Sequence, residues 1–598
     1  MGETYKILFM PDHKEFEVPA GINVLQAART VGVELDGPCG GKGTCGKCRV
    51  RVVKEDGGAQ WALACRTIID RDITVEIPQL EVSVHRKNEL SLGDLNVAID
   101  SGISARVVTV SEPSLKNQLP DAERFLSALD NNALELSTEV LRALPKTVRD
   151  KEAKGMVTAI LSGNKVLAIE AGDTSQKLYG VAVDIGTTSV VVALMDLNTG
   201  ETVAIASAGN PQTAFGADVI ARIDHVINNE DGLEVLNRRV IKTINRLIEK
   251  LAKDIGIMPG EIYQMTMVGN TTMSHLFMKM DPTNLATSPF IPVVSEGLYF
   301  EARELNIEIA PHAPVYVTPS IAGYVGGDTI GVIMATEIYK KKGIYLAIDI
   351  GTNGELVLSR DGKMASCSTA AGPAFEGAQI KFGMRAADGA IEKVTILENG
   401  EVELGVIGNQ PPKGICGSGL MDVVSEMARV GVIESTGRMR TQEDPGDLSP
   451  ALQKRLGSNE EYGPYFILSF AEDNLGEEVV ITNKDIRELQ LAKAALAAGV
   501  QVLLQHFELT VQDLDGVMLA GAFGSYINKH SALGIGLLPP VDADKINAVG
   551  NAAGTGARME LINQGIRLEA QKVARQVEHI ELSTRLDFQE YFVDRLSF

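Results

Sequence analysis

The run Val183-Asp184-Ile185-Gly186-Thr187-Thr188-Ser189 recurs 165 residues later as Ile348-Asp349-Ile350-Gly351-Thr352-Asn353-Gly354. In each copy an apolar run ends on a carboxylate, a glycine and small polar residues follow, and a second apolar run departs. Such a repeat constrains the chain to two related halves, each built round a strand–turn–strand unit. The turn can aim backbone N–H groups and Thr hydroxyls at an anion. Asp184 and Asp349, at the strand ends, can hold Mg²⁺ through its waters. One Asp-x-Gly-Thr turn is common and usually structural. Two copies, each between strands, predict halves that face each other across a cleft with a phosphate tail between the loops.

The segments around these units alternate between strand and helix patterns. Residues 219–228 and 233–253 carry apolar positions at helical spacing. MTMVGNTTMSHLF reads as strand, turn and helix, with Gly269-Asn270-Thr271-Thr272 either a cleft wall or a simple strand–helix turn. VTPSIAGYVGGDTIGVIMAT is a glycine-rich entry to a helix. STAAGPAFEGAQIKFGM carries Glu376, a candidate general base or a plain cleft-lining carboxylate. GICGSGLMDVVSEMA opens a helix with Gly417-Ser418-Gly419, small enough for close approach by a helix or a ligand. An apolar strand then runs into Ala520-Gly521-Ala522-Phe523-Gly524, where a flat base or ribose can lie against backbone.

Four of the six cysteines cluster near the N-terminus as Cys39-x5-Cys45-x2-Cys48-x16-Cys65. The first three lie on a glycine-rich loop, which can wrap a cluster and point N–H groups at its sulfurs. The spacing is one residue longer than the plant-type C-x4-C-x2-C…C pattern of 2Fe–2S ferredoxins. Structural zinc and a redox Cys-x-x-Cys are the rival readings. Zinc usually takes paired motifs, and a thioredoxin-like pair needs no partners at Cys39 and Cys65. Before the cysteines, KILFM and EFEVPAG read as strands and 23–31 as a short helix capped by Asn23. Cys367 and Cys416 stand apart and read as small buried hydrophobes.

Domain bounds follow: 1–87 for the cysteine-bearing domain, a polar linker over 88–104, a small α+β module over 105–177, and 178–598 for the duplicated region with loops at 184–188 and 349–353. Polar residues from His85 to Ser101 predict a flexible tether. In the module, DAERFLSAL and STEVLRAL read as helices, the second stopped by Pro145, and Gly163-Asn164 turns a hairpin. A net charge of −22 speaks against a nucleic-acid partner. The N-terminus lacks the pattern of a signal peptide, and no run of 18 apolar residues marks a membrane span, so a cytoplasmic location is expected. The eight histidines show no metal spacing.

The order of these motifs resembles the actin-like (ASKHA, ribonuclease H-like) ATPase superfamily. The resemblance makes Asp184, Gly186, Thr187 and Thr188 a first phosphate loop, and Asp349, Gly351, Thr352 and Asn353 a second. It makes Gly417–Gly419 an interdomain connection and Gly521, Ala522 and Gly524 an adenosine site. A ferredoxin-type domain ahead of such an ATPase resembles, over nearly the whole chain, the reductive activators of corrinoid proteins. The implied fold is multidomain α+β: a ferredoxin-like β-grasp, a small α+β middle domain and a duplicated α/β ATPase domain. The implied cofactors are a 2Fe–2S cluster on Cys39, Cys45, Cys48 and Cys65, with ATP and Mg²⁺. The implied activity is ATP-dependent return of Co(II) corrinoid to Co(I) for methyl transfer. The implied partners are a corrinoid protein and a low-potential electron donor such as ferredoxin; a homodimer stays open. Relatives serving methylamine methyltransferases end in four-cysteine 4Fe–4S motifs, whereas this chain has no cysteine after Cys416. It therefore resembles the bacterial branch serving the corrinoid iron–sulfur protein or O-demethylase corrinoid proteins. A small-molecule kinase with a fused redox domain is the alternative, as is an activator of another low-potential metalloenzyme.

Overall fold

A computed structural model describes the chain except for residues 1–2, 11–12, 34, 36–40, 42, 44–47, 54–57, 78–82, 87–94, 96, 378, 475 and 522–526. Two compact units result: 1–40, 48–335 and 553–574 make the first, and 41–47, 336–552 and 575–598 the second.

In the first unit, the N-terminal segment forms a five-stranded sheet in the order Lys14–Pro19, Thr4–Met10, Ile73–Glu76, Arg49–Val53, Ala59–Leu63. Ile7, Phe9, Val50 and Val75 alternate onto one face and bury against the helix Val24–Thr30. Asn23 caps that helix by accepting from the Gln26 N–H at 2.8 Å. This is the expected ferredoxin-like β-grasp.

A four-stranded sheet and the helices Asp121–Ala128 and Thr138–Thr147 form the small α+β module. The second helix runs past Pro145, contrary to expectation. Pro145 lies in its last turn, where the lost N–H removes one bond near an end that is fraying anyway.

The seven-stranded sheet of the first unit carries the first loop. Its core order is Thr202–Gly209, Ser189–Asp196, Tyr179–Ile185, Ile262–Gly269, Pro314–Val317. Ser189–Asp196 runs antiparallel to both its neighbours, and the last two strands run parallel to Tyr179–Ile185. In the second unit, Lys363–Thr369, Gly354–Arg360, Ile344–Ile350, Gly516–Ala520 and Ile546–Gly550 repeat this order and these directions. The sequence repeat is thus a repeat of topology. The helix Gly232–Ile255 covers the first sheet with Leu236, Val240, Ile244, Leu247 and Leu251, and Gly256 at φ 77° ends it.

The stretch read as a tether is held at its two ends, while residues 87–94 and 96 between them lie outside the described residues. Ser83–Arg86 is a strand on the Thr202–Gly209 edge of the seven-stranded sheet, pairing Ser83 with Ser207 and Arg86 with Ala204. The Asp100 N–H donates to the Ile562 carbonyl at 2.8 Å. Short alternation in Ser-Val-His-Arg is too little to mark a strand in isolation; a waiting sheet edge supplies the partner.

The assignment of Gly417–Gly419 to the connection is also corrected. Beyond the short segment 41–47, the chain passes from one unit to the other at 335/336, 552/553 and 574/575, so these glycines lie inside the second unit. The helices Gly327–Thr336 and Ala552–Ile562, at two of those passages, cross through glycines. A Cβ on Gly556 would lie 2.3 Å from the Gly331 Cα. Alanine's better helix propensity is worth about 1 kcal/mol, but parting two backbones costs about 1–3 kcal/mol. Gly556→Ala is therefore expected to lower the melting temperature by calorimetry.

Glu560 on the second of these helices is fully buried. Its Oε2 accepts from the Thr318 hydroxyl at 2.5 Å, while Oε1 has no hydrogen-bond partner. Burial pushes its pKa up to about 8. A folded pKa above the unfolded value means a contribution present below about pH 4 and lost as pH rises through about 8. Melting temperature is expected to fall between those limits in the parent and to fall less in Glu560→Gln.

Candidate functional site

The first loop is built from beneath. The Gly186 N–H donates to the Ser189 carbonyl at 2.9 Å, closing the turn. The Gly186 carbonyl accepts from Asn210 Nδ2 at 2.9 Å, and the Thr188 carbonyl from the Asn210 N–H at 2.8 Å. The Thr187 carbonyl accepts from Arg222 Nη2. Arg222 is fully buried and also donates to the Gly216 carbonyl and to Gln212 Oε1, each at 3.1 Å. In a trans peptide the C=O and the following N–H point opposite ways. Three consecutive carbonyls tied inward therefore turn the next N–H groups outward, the arrangement an anion needs.

Asn270 completes the brace. Its Nδ2 donates to Thr187 Oγ1 at 3.1 Å and its Oδ1 caps the next helix at the Met273 N–H. The Thr271 hydroxyl donates to the Ala322 carbonyl at 2.6 Å, and Thr272 is buried. Gly269–Thr272 is thus a prop for the loop as well as a strand–helix turn. Close packing explains a glycine opposite it: a Cβ on Gly326 would lie 2.5 Å from the Asn270 Cα.

Asp184 stands at the end of Tyr179–Ile185, opposite Val191 and Val268. Beside it, at the start of the helix Gly327–Thr336, is Asp328. Burial, and then the field of the Asp184 carboxylate, raise the Asp328 pKa well above the usual carboxylate range.

The second unit repeats the plan with different details. Gly351 N–H donates to the Asn353 carbonyl at 3.0 Å. The Thr352 hydroxyl donates to Glu376 Oε1 at 2.9 Å, so the fold brings Glu376 to this loop. Asp349 pairs in register with Ala520, and Gly521 follows at φ 94°. A Cβ on Gly521 would lie 2.8 Å from Asp349 Oδ1, so Gly521 itself is packed against the loop's carboxylate. Ala522 and Gly524 lie outside the described residues. Gly417 and Gly419 begin the helix Gly417–Arg429. A Cβ on Gly419 would lie 2.1 Å from the Ile391 carbonyl, so its close approach is to a protein strand.

Cys48 and Cys65 meet at the open end of the hairpin Arg49–Val53/Ala59–Leu63. Their sulfurs are 3.2 Å apart, too far for a disulfide at about 2.05 Å. Both are buried, and the Cys65 N–H donates to Cys48 Sγ at 3.4 Å. Two adjacent thiols with an amide aimed at one sulfur suit a thiolate-held cluster. Cys39 and Cys45 lie outside the described residues. Among the described residues, no three His, Cys, Asp or Glu side chains gather as metal ligands. Cys367 and Cys416 are buried in the second unit, and burial raises the Cys367 thiol pKa. Among the described residues no helix is long and apolar enough to cross a membrane.

Asn210, Arg222 and Asp328 escaped the motif reading. Arg222 carried a signal: with Val219 and Ile223 it sits on the apolar face of Val219–Asn228, where a guanidinium needs a reason. Asp328 follows Gly326-Gly327 at a helix start, a weaker cue.

Residues 343–598 match the C-terminal ASKHA domain of RACo, 179–341 the RACo middle region, 94–176 the RACo linker region, and 9–70 the 2Fe–2S iron–sulfur cluster binding domain. The chain is 33% identical to the corrinoid activation enzyme RamQ of Eubacterium limosum, over 98% of each chain. It is 25% identical to the [Co(II) methylated amine-specific corrinoid protein] reductase of Methanosarcina barkeri, covering 70% of this chain and 77% of that one. A solved reductive activator for corrinoid, iron–sulfur protein is 36% identical and superposes with a TM-score of 0.76, over 99% of this chain and 98% of that one.

Proposed function

Because this chain belongs to the family of reductive activators of corrinoid proteins, we propose that it uses ATP to return a partner's inactive Co(II) corrinoid to Co(I). The observation that carries the ATP part is the first loop, whose three consecutive carbonyls are tied inward, which turns the N–H groups after them toward the side a phosphate would take. Asp184 and Asp349 would hold Mg²⁺ through its waters, with Gly186, Thr187 and Thr188 at one loop and Gly351, Thr352 and Asn353 at the other. Cys39, Cys45, Cys48 and Cys65 would hold the 2Fe–2S group, which supplies a one-electron store at about −400 mV when bound.

If the cobalt couple lies lower still, transfer runs uphill, and about 59 mV is tenfold in a one-electron equilibrium. Nucleotide can help only by favouring a conformation in which the cobalt is easier to reduce. The chain's part is then to bind nucleotide differently in two states and to release the favoured one on hydrolysis. Asp328, its proton held to higher pH than on an ordinary carboxyl, is suited to take a proton from the attacking water. The acidic limb of ATP turnover should accordingly lie above the usual carboxylate range, and Asp328→Asn should remove that limb together with most of the turnover.

The direct test mixes the cluster-loaded protein, a weak chemical reductant and a Co(II) corrinoid protein, and follows Co(I) optically. Co(I) should accumulate with ATP and not with a non-hydrolysable analogue. Equal accumulation without nucleotide would remove ATP from the reading.

A further inference from the structure

The helix covers one face of the N-terminal sheet, and on the other, among the described residues, Arg49, Arg51 and Trp61 are exposed. Residues 1–87 contain 12 basic and 12 acidic residues, so the net charge of −22 is carried entirely by the remainder. Val50 is fully buried, and the alternation therefore places Arg49 and Arg51 on that other face. Trp61 lies directly opposite Arg51 in register, and Leu63 opposite Arg49. Trp61, the only tryptophan of the chain, is 52% exposed on an edge strand. The Arg49 guanidinium sits over its ring, 5.7 Å from the centroid. Arg51 reaches Glu76 at 2.9 Å, the acidic residue that shares this part of the face.

Folding alone gives little reason to leave an indole half bare. Exposed Trp and Arg side by side are the residue types that dominate binding hot spots. The same hairpin ends on Cys48 and Cys65, so whatever docks on this face stands beside the cluster ligands. The net negative charge of the remainder repels an acidic visitor, whereas this charge-balanced domain with its two exposed arginines does not.

We propose that the outer face of the hairpin Arg49–Val53/Ala59–Leu63, with Arg49, Arg51 and Trp61 at its centre, docks an acidic one-electron carrier protein that delivers the electron to the cluster. The carrier gives up one electron, the cluster gains it, and no bond or proton changes place. This rests on the cluster reading above, so iron content and the visible spectrum of each variant are read first; a parent without the cluster would overturn that reading separately.

The test uses the full-length, cluster-loaded protein and a reduced acidic ferredoxin as probe. Trp61 emission reports docking directly, free of any other indole. Arg49→Glu/Arg51→Glu is expected to weaken docking and to lower the second-order rate of cluster reduction about tenfold or more at low ionic strength. The difference should shrink at high salt. Arg49→Lys/Arg51→Lys should keep most of the rate, and Trp61→Ala, which removes the indole and is therefore read by the rate of cluster reduction, should slow that rate with the salt slope intact. Reduction by a small viologen radical and the midpoint potential of the cluster should be unchanged. An unaltered ferredoxin rate and salt slope would overturn the proposal. So would an equal loss with the viologen, which makes the arginines tuners of the cluster, or a loss confined to electron exit toward the corrinoid protein.

Discussion

Cys65→Ser is expected to abolish corrinoid reduction while leaving the fold and the nucleotide loops in place. Cys65 and Cys48 form the half of the cluster set that the hairpin brings together, with the Cys65 amide aimed at Cys48 Sγ. Serine is a poor ligand for a site that selects thiolate. The parent should purify red-brown with about two irons per chain, the content of this cluster type; the variant should be pale and iron-poor. Cys367→Ala is the control, since Cys367 packs in the core of the second unit. It should keep colour and iron with a small loss of stability. A colourless parent carrying one zinc would replace the cluster by a structural metal.

Asp184→Asn, and likewise Asp349→Asn, should lower ATP turnover by about 100-fold or more, because phosphoryl transfer is mostly positioning and electrostatics. The exchange keeps size and removes one negative charge from the site proposed for Mg²⁺. It has a second consequence at Asp184. Asp328 loses the neighbouring carboxylate that helps raise its pKa, so the acidic limb of any residual turnover should shift downward. Iron content and reduction of the cluster by a chemical donor should be unchanged, whereas Co(I) formation from a weak donor should fail. Normal hydrolysis by Asp184→Asn would remove it from the phosphate loop. Lost hydrolysis with full Co(I) formation would leave nucleotide binding in place but cut its link to the electron.

The repeated loop told the architecture because the local rule and the global one coincide there. An apolar strand ending on Asp and Gly has few folds open to it, and the sheet order in both units follows. Boundaries of helices with clear apolar spacing, such as Gly232–Ile255, were legible for the same reason. What stayed hidden depended on contacts distant in sequence. Arg222 reaches a carbonyl 35 residues away, and nothing in its neighbourhood names Thr187 as the acceptor. Glycines misled where several uses share one residue type. Gly417–Gly419 looks like a connection, yet the close helix crossing belongs to Gly331 and Gly556, each set in an unremarkable local pattern. The strand Ser83–Arg86 went unread, and its second half was counted into the tether, because its partner strand begins more than a hundred residues later.

That last strand does more than fasten the N-terminal domain. The eight-residue strand Thr202–Gly209, paired on its inner side with Ser189–Asp196, would otherwise end its sheet with the alternate, outward-facing amides unpaired. Such an edge recruits strands from other molecules. Ser83–Arg86 hems it with a short, polar piece whose His85 and Arg86 are poor templates for further pairing. A chain shortened to begin after Arg86 therefore loses a seal against self-association along with its redox domain, whereas one beginning just before Ser83 keeps it. The same four residues would set how well the middle and ASKHA portions stay dispersed when prepared alone.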